Sequence, residues 1–511
     1  MIWFCLFRFT GSITKGYNIY EDNIYVTIDK MLDSDNEISV SEYLIKVDIA
    51  GKFRFRPFWA AHLVFATDMT GADLTLYTFY IICLGIFTSF FIYKFLTIAG
   101  YSKIEGIIFG LLILAGSKAI IWSDITDSEN IGMFMLSLTL LLLSMSIYQD
   151  RANKIFTICF YISLLFTSLC KESFILIIPA IMFLYILLYA KKNSLSFIDT
   201  VRQNRLQVIA LSSMFIILIA AIFIIVGFNS QTYAGIDIDL FSISVIFEYL
   251  KSIFEFYIFY FIIAGILILI IPEAKKSGIM NSIKSGAKTN LGIIALFILI
   301  TFPQYILYYK TGFADRYLLP FMTGYFFMLI YIHRKISENQ FIPLIVKTFY
   351  AISIFCFIIF EILFKSVPLL NNFSRNCMET TKLANAIVEN SREGSDLLFV
   401  MDPVQNYHEV YSMKIFLDSY NLKENYYYDF VKSEYINPVF ADTAFYNRCE
   451  RDAYTDLGNG LIIHNKDNYQ IENILIFRSL ENKFIEKNRN WFNQDKFKKG
   501  RYGGYILYQK K

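Results

Sequence analysis

The sequence predicts an α-helical polytopic membrane protein that carries an extracytoplasmic α/β domain at its C-terminal end. Three observations predict it. The chain of 511 residues is 56% hydrophobic and 18% charged, with a mean hydropathy of +0.46, far more apolar than an ordinary soluble protein of that length. Apolar runs of roughly 18 or more residues recur along it, each long enough to cross a hydrocarbon core about 30 Å thick as a helix. After residue 365 the composition turns to mixed polar sequence, of a size to fold as a small domain of its own.

The opening residues, MIWFCLFRF, are apolar, but a helix of about nine residues rising ~1.5 Å each cannot span a bilayer. They are expected to form a shallow anchor or to be what is left of a truncated segment. A charged leader followed by a full apolar core and a small-residue cleavage site is missing, so a signal peptide fits poorly. Residues 10–74 are polar and amphipathic and form the first outer loop of a transmembrane domain covering 1–365. About ten spans follow, near 75–99, 105–122, 131–148, 155–170, 173–190, 206–227, 254–272, 291–309, 317–332 and 343–364. Lys171-Glu172 leaves room only for a tight turn at a membrane face.

Loop charges set the orientation. Lys103, then Arg151 and Lys154, then Lys191, Lys192, Arg202 and Arg205, then Lys275, Lys276, Lys284 and Lys288, then Arg334, Lys335 and Lys347 fall in alternate connections, which are therefore cytoplasmic. The intervening loops, SDITDSEN at 123–130, the CKES turn, GFNSQTYAGIDIDL at 227–240 and KTGFADR at 310–316, face outward with the opening stretch and everything after residue 365. In that soluble domain, 366–511, residues 375–392 read as an amphipathic helix, 396–401 (DLLFVM) as a buried strand, and 470–478 and 502–509 as further strands.

Several classes are disfavoured. A net charge of +3 argues neither for nor against a polyanionic partner, and no nucleic-acid partner is expected. The seven cysteines contain no CxxC, and the four histidines, His62, His333, His408 and His464, have no ligand spacing, so no zinc, redox or histidine metal centre is expected. Cys377 and Cys449, in the polar C-terminal region, are either a disulfide pair, if that region meets an oxidising compartment, or two free thiols. The cytoplasmic loops are short and carry no Gly-rich phosphate-binding turn, which leaves nowhere obvious for a nucleotide-sugar.

The outward face collects Glu21, Asp22, Asp29, Arg54, Arg56, Asp124, Asp127, Glu129, Lys171, Glu172, Asp315 and Arg316. Charged groups near lipid are costly unless they pair or serve a ligand, and this mixture suits a phosphate-linked substrate. Moving a sugar off a phosphate leaving group needs a carboxylate to take the acceptor's proton and fixed cations to stabilise the departing charge. A single displacement by one base inverts the anomeric centre, whereas retention needs a second, nucleophilic carboxylate nearby. Each candidate also has a plainer role. Glu21 and Asp22 suit the positive end of a helix, and Asp127 suits the N-cap of the 131–148 helix. Lys171 would pair with Glu172 and Arg316 with Asp315, or reach the headgroups, and Arg54 with Arg56 would form a lipid-facing turn. A divalent cation held by Glu21, Asp22 or Asp127 together with phosphate oxygens would be Mg²⁺ or Mn²⁺.

The order of these pieces resembles a known family. An acidic pair in the first outer loop is followed by FRFRPFW at 53–59, TDSEN in the second outer loop, SLCKESFILIIP at 168–179, ADRYLLPF at 314–321 and an outer C-terminal domain. This layout is similar to that of the multi-spanning GT-C glycosyltransferases, such as aminoarabinose transferases and protein O-mannosyltransferases, with RYLLP the most telling piece. The resemblance implies a GT-C-like helical bundle in a bacterial plasma (inner) membrane. It implies a polyprenyl-phosphate-sugar donor and an extracytoplasmic acceptor that is a lipid, glycan or protein. It further implies that Asp22, alone or with Glu21, is the catalytic carboxylate, that Asp127 lies beside the same cavity, and that Lys171 and Arg316, with Arg56, bind the lipid phosphate. Members usually show Asp-Asp or Asp-Glu where this chain has Glu21-Asp22, so the base stays open between the two. The other readings are a polysaccharide polymerase or ligase, whose large outer loop usually lies between spans, and a transporter or flippase, which usually has internal repeats and broken polar helices at the midplane.

Overall fold

The apolar runs fold as helices wherever the chain is described, because a backbone in lipid must satisfy its own hydrogen bonds within each segment. A computed structural model describes residues 2–19, 22–32, 55–71, 73–149, 153–225, 243–277, 279–308, 319–391, 395–403, 405–420, 425–431 and 471–511. They divide into two compact units. The first comprises Met1–Arg8, Ile38–Phe65 and Thr78–Leu370, and the second Phe9–Glu37, Ala66–Tyr77 and Asn371–Lys511. The second unit is thus more than the expected 366–511 domain, since stretches of the first outer loop belong to it.

The helices of the chain up to Asn390 are α1 (Ile2–Phe9), α2 (Asn23–Leu32), α3 (Pro57–Thr70), α4 (Leu74–Ile98), α5 (Lys103–Leu112), α6 (Ser128–Tyr148), α7 (Asn153–Ser168), α8 (Glu172–Ile175), α9 (Ile178–Asn193), α10 (Phe197–Gln203), α11 (Arg205–Ile225), α12 (Ile243–Glu255), α13 (Tyr257–Ser277), α14 (Ile279–Tyr308), α15 (Phe321–Glu338), α16 (Leu344–Phe360) and α17 (Val367–Asn390). By length and composition six of the described segments can cross a membrane: Leu74–Ile98, Ser128–Tyr148, Glu172–Asn193, Arg205–Ile225, Asn290–Leu307 and Leu344–Asn390. They answer to the runs expected near 75–99, 131–148, 173–190, 206–227, 291–309 and 343–364.

The remaining expected spans differ, for identifiable reasons. The run at 105–122 is a broken pair, α5 followed by a 3-10 turn at Gly116–Trp122, bent by 74°. Gly116 takes a left-handed φ of 86° and donates its N–H to Ser366 Oγ at 2.8 Å instead of to the preceding turn. The run at 254–272 is likewise bent, by 85° between Ile246–Phe254 and Tyr257–Pro272. Counting each bent pair as one span raises the total to eight among the described residues. Helix α7 has 16 residues, about 24 Å, short of the ~30 Å core. It packs on α6 through Thr139, whose hydroxyl meets Ser163 Oγ at 3.1 Å and Thr167 Oγ1 at 3.0 Å, the close small-residue contact that holds helices together in lipid. The run at 317–332 becomes α15, which ends in the charged turns of Arg334, Lys335 and Glu338.

Within the first unit, His62 of α3 is buried, with Nε2 2.9 Å from the Tyr80 hydroxyl. Burial pushes its pKa down from 6.5 to about 4. The unfolded chain therefore binds the proton more readily, and the stability that neutral His62 contributes is fully present above pH 6.5 and lost as pH falls toward 4. Thermal unfolding of wild type is expected to show this acid-side loss, and His62→Phe to flatten it; an unchanged slope in the variant would refute the assignment.

The second unit is built on a five-stranded sheet in the order β2-β1-β3-β5-β4, with β1 at Asp396–Met401, β2 at Asn425–Phe430, β3 at Ile471–Phe477, β4 at Phe497–Tyr502 and β5 at Tyr505–Lys510. β1 pairs in parallel with β2 and β3, while β5 runs antiparallel to both β3 and β4. Buried on every residue, β1 has the continuous apolar run of a strand covered on both faces. The helix Tyr407–Ser419, α18, connects β1 to β2, as a parallel crossover requires. Cys377 is buried on α17, and Cys449 lies outside the described residues.

Candidate active site

Asp22 belongs to the second unit, at the head of α2. Its position follows from the turn before it. Gly16 has φ 81°, and a Cβ there would lie 2.4 Å from Thr381 Oγ1 on α17, so only glycine fits. The next residue, Tyr17, is pinned three ways. Its N–H donates to Thr381 Oγ1 at 2.9 Å, its hydroxyl lies 2.8 Å from Ser412 Oγ, and its ring stacks on Phe416 with centroids 3.8 Å apart. Burial pushes the Tyr17 pKa well up, against the Ser412 hydrogen bond and with the help of the Asp22 charge, so the phenol stays protonated. Gly16→Ala is expected to destabilise the protein by about 1–3 kcal/mol through this overpacking and the left-handed φ. Thermal unfolding of the whole chain tests it, and an unchanged midpoint would show that the turn relaxes freely.

So anchored, the chain closes on itself. The Asp22 N–H donates to Asn18 O at 3.1 Å, Asn18 N–H returns a bond to Asp22 Oδ2 at 2.7 Å, and Val26 N–H donates to Asp22 O at 3.2 Å, which starts α2. Lys15 Nζ lies 3.5 Å from Asp22 Oδ2, with side-chain exposures of 1% for Lys15 and 0% for Asp22. The Lys15 ammonium also lies 5.1 Å from the centre of the Phe373 ring. Asp22 is therefore both a helix-start carboxylate and half of a fully buried ion pair. Burying either charge alone would cost several kcal/mol, which the mutual attraction offsets.

In the first unit the structure brings Arg56, Lys171, Glu129 and Glu172 together. Arg56 Nε lies 3.6 Å from Glu172 Oε2, and Glu172 Oε1 accepts the Phe55 N–H at 2.9 Å. Lys171, at the N-cap position of α8, pairs with Glu129. This corrects the pairing expected from sequence, in which Lys171 took its neighbour Glu172. The extended Lys171 backbone, φ −166°, ψ 151°, instead accompanies an ion pair across to the first turn of α6. Burial holds the Lys171 pKa below its ordinary value, opposed by the adjoining Glu129 carboxylate. The Arg56 guanidinium lies 5.8 Å from the Trp59 ring, and Trp59 Nε1 donates to Thr126 O at 3.2 Å. Asp127 follows directly, buried at the N-cap position of α6 but making no side-chain capping bond there. The plain capping role expected for it is met in position only. Two arginine and lysine cations thus face two glutamates around the α3, α6 and α8 starts.

Glu21, Asp315 and Arg316 lie outside the described residues, as does Arg54. Two partners were not foreseen from sequence, Lys15 and the Glu129 end of the Lys171 pair. Lys15 had a usable signal, since a buried carboxylate calls for a cation and Lys15 is the nearest one upstream, beside a turn glycine. Among the described residues no three His, Cys, Asp or Glu side chains are placed to hold a metal ion.

No protein-family model matches the chain, and no curated protein sequence matches it. Among solved structures it is similar to ArnT from Cupriavidus metallidurans bound to undecaprenyl phosphate, at 11% identity and a TM-score of 0.48, over 99% of this chain and 96% of that one. It is similar also to the same protein in the apo state, at 11% identity and a TM-score of 0.46, over 96% of this chain and 93% of that one.

Proposed function

We propose that the chain is an integral-membrane glycosyltransferase that moves a sugar from a polyprenyl-phosphate-linked donor to an extracytoplasmic acceptor, in the plasma membrane of a bacterium. The observation that carries this reading is Asp22, a carboxylate buried against Lys15, in the outer loop where the resemblance to GT-C enzymes puts the catalytic acid group. In the reaction the acceptor hydroxyl attacks the anomeric carbon and gives its proton to Asp22. The bond from that carbon to the phosphate oxygen breaks, and the oxygen leaves with the electron pair, stabilised by fixed cations. One base and one displacement invert the anomeric centre. Arg56, Asp127, Lys171 and Arg316 are the proposed substrate-binding groups, and Glu21 is the second candidate for the base.

The test is transfer of labelled sugar from a polyprenyl-phosphate-sugar by the purified protein in detergent. Glu21→Gln and Arg316→Ala are expected to lower turnover, the second by weakening the hold on phosphate. Full turnover in both, and in Asp22→Asn, would sink the site assignment. Excess EDTA is expected to leave turnover within about twofold, since charge on the leaving phosphate falls to lysine and arginine. Loss of activity restored by Mg²⁺ or Mn²⁺ would instead assign a cation to Asp22, Glu21 or Asp127.

A further inference from the structure

A cavity of about 420 Å³ lies in the first unit among α4, α9, α14 and α15, lined by apolar groups that include Leu184, Leu188, Leu296 and Phe327 and by the charged groups Lys191, Arg334, Lys335 and Glu338. The charges come from the last turns of α9 and α15, and the apolar groups from earlier turns of the same helices and from α14. The single lining carboxylate, Glu338, is taken by Arg334 at 2.7 Å. Arg334 also donates to Gly100 O at 2.7 Å, and its guanidinium lies 4.8 Å from the Tyr101 ring. Lys191 donates to Ala99 O at 3.3 Å, and Lys335 lies 5.6 Å from the Tyr331 ring. Among the described residues no carboxylate forms an ion pair with either lysine. Helix C-termini favour cations by themselves, but that does not account for a cavity of ligand size, within the ~300–1,000 Å³ range of binding sites, with apolar walls beside the charges.

We infer that this cavity binds an anionic phospholipid, its phosphate held by Lys191 and Lys335 and the start of an acyl chain lying against Leu184, Leu188, Leu296 and Phe327. The basic helix ends that contain Lys191 and Lys335 are those assigned to the cytoplasmic side from the sequence, so the lipid is one of the inner leaflet. That side rests on the orientation in the function proposed above; the binding itself does not. Tyr101 and Tyr331 match the aromatic side chains that sit at headgroup level, and basic pockets between spans on the cytoplasmic side are suited to anionic headgroups. The shared chemistry of phosphate leaves a free anion as the competing occupant, and the lipid is favoured because most of the lining is apolar.

The test is native mass spectrometry of the full chain released from nanodiscs of equimolar phosphatidylglycerol and phosphatidylcholine. Wild type is expected to retain phosphatidylglycerol about tenfold over phosphatidylcholine, and Lys191→Gln/Lys335→Gln to lose that preference. Lys191→Arg/Lys335→Arg, which keeps both charges, is expected to restore it, and an unchanged thermal midpoint separates lost binding from lost folding. Equal retention of the two lipids by wild type would overturn the inference, as would undiminished preference in the Gln variant. Displacement of the lipid by millimolar inorganic phosphate would overturn it in favour of a soluble-anion site. None of these readouts depends on sugar transfer, so failure here and failure of the proposed transferase activity are separate results.

Discussion

Asp22→Asn is expected to reduce sugar transfer by about 10²–10⁴-fold, the range that a positioned general base contributes. The substitution keeps the shape and an oxygen for the Asn18 N–H, whose bond to Oδ2 is 2.7 Å, so the loop has no steric reason to rearrange. It removes the charge that faces Lys15 at 3.5 Å, and breaking a buried ion pair from one side costs about 3–5 kcal/mol. A loss of activity in this variant alone would therefore confound chemistry with stability. Asp22→Asn/Lys15→Met separates them: removing both charges is expected to bring the thermal midpoint back toward wild type while transfer stays low. Recovery of transfer with the midpoint would make the pair a structural one and move the base to Glu21.

The second large effect is on stability. Lys171 and Glu129 form an ion pair with side-chain exposures of 3% and 2%, so Lys171→Met or Glu129→Leu alone breaks a buried pair from one side and is expected to cost about 3–5 kcal/mol. The double variant replaces the pair with apolar groups and is expected to recover most of that loss, giving a coupling that a double-mutant cycle measures directly. Single variants within about 1 kcal/mol of wild type would mean that water reaches the pair. If Lys171 also holds the donor phosphate, the well-folded double variant is expected to raise KM for the lipid-linked sugar more than it lowers kcat, which a structural pair by itself would not do.

How far the sequence foretold these features follows from the range of the interactions involved. Length and hydropathy act locally, so the spans at 75–99, 131–148, 173–190, 206–227, 291–309 and 343–364 were legible as runs and match helices long enough to cross. The bend between α5 and the turn that starts at Gly116 was not, because the contacts formed there are distant in sequence: the Gly116 N–H donates to Ser366, 250 positions away. In the second unit, DLLFVM announced β1 through its unbroken apolar run, and the runs at 470–478 and 502–509 overlap β3 and β5. β4, FKKGRY, escaped notice because an edge strand carries charge to discourage further pairing, and its burial alternates only weakly. The site divides in the same way. Asp22 and Lys15 are seven positions apart, within reach of a sequence argument that asked which cation neutralises a buried acid. Lys171 and Glu129 are 42 apart, on α8 and α6, and sequence adjacency pointed to Glu172 instead.

The central claim, that the chain breaks a sugar–phosphate bond on a polyprenyl carrier, is tested most directly by what the carrier becomes. Purified protein incubated in detergent with a polyprenyl-phosphate-linked sugar and a membrane-derived acceptor fraction should release polyprenyl phosphate in step with sugar transferred, followed by mass spectrometry of the lipid. The account predicts one polyprenyl phosphate per sugar moved, with release falling in Asp22→Asn and unaffected in Lys191→Gln/Lys335→Gln. An intact donor after prolonged incubation, or release of equal rate in Asp22→Asn, Glu21→Gln and Arg316→Ala, would contradict it.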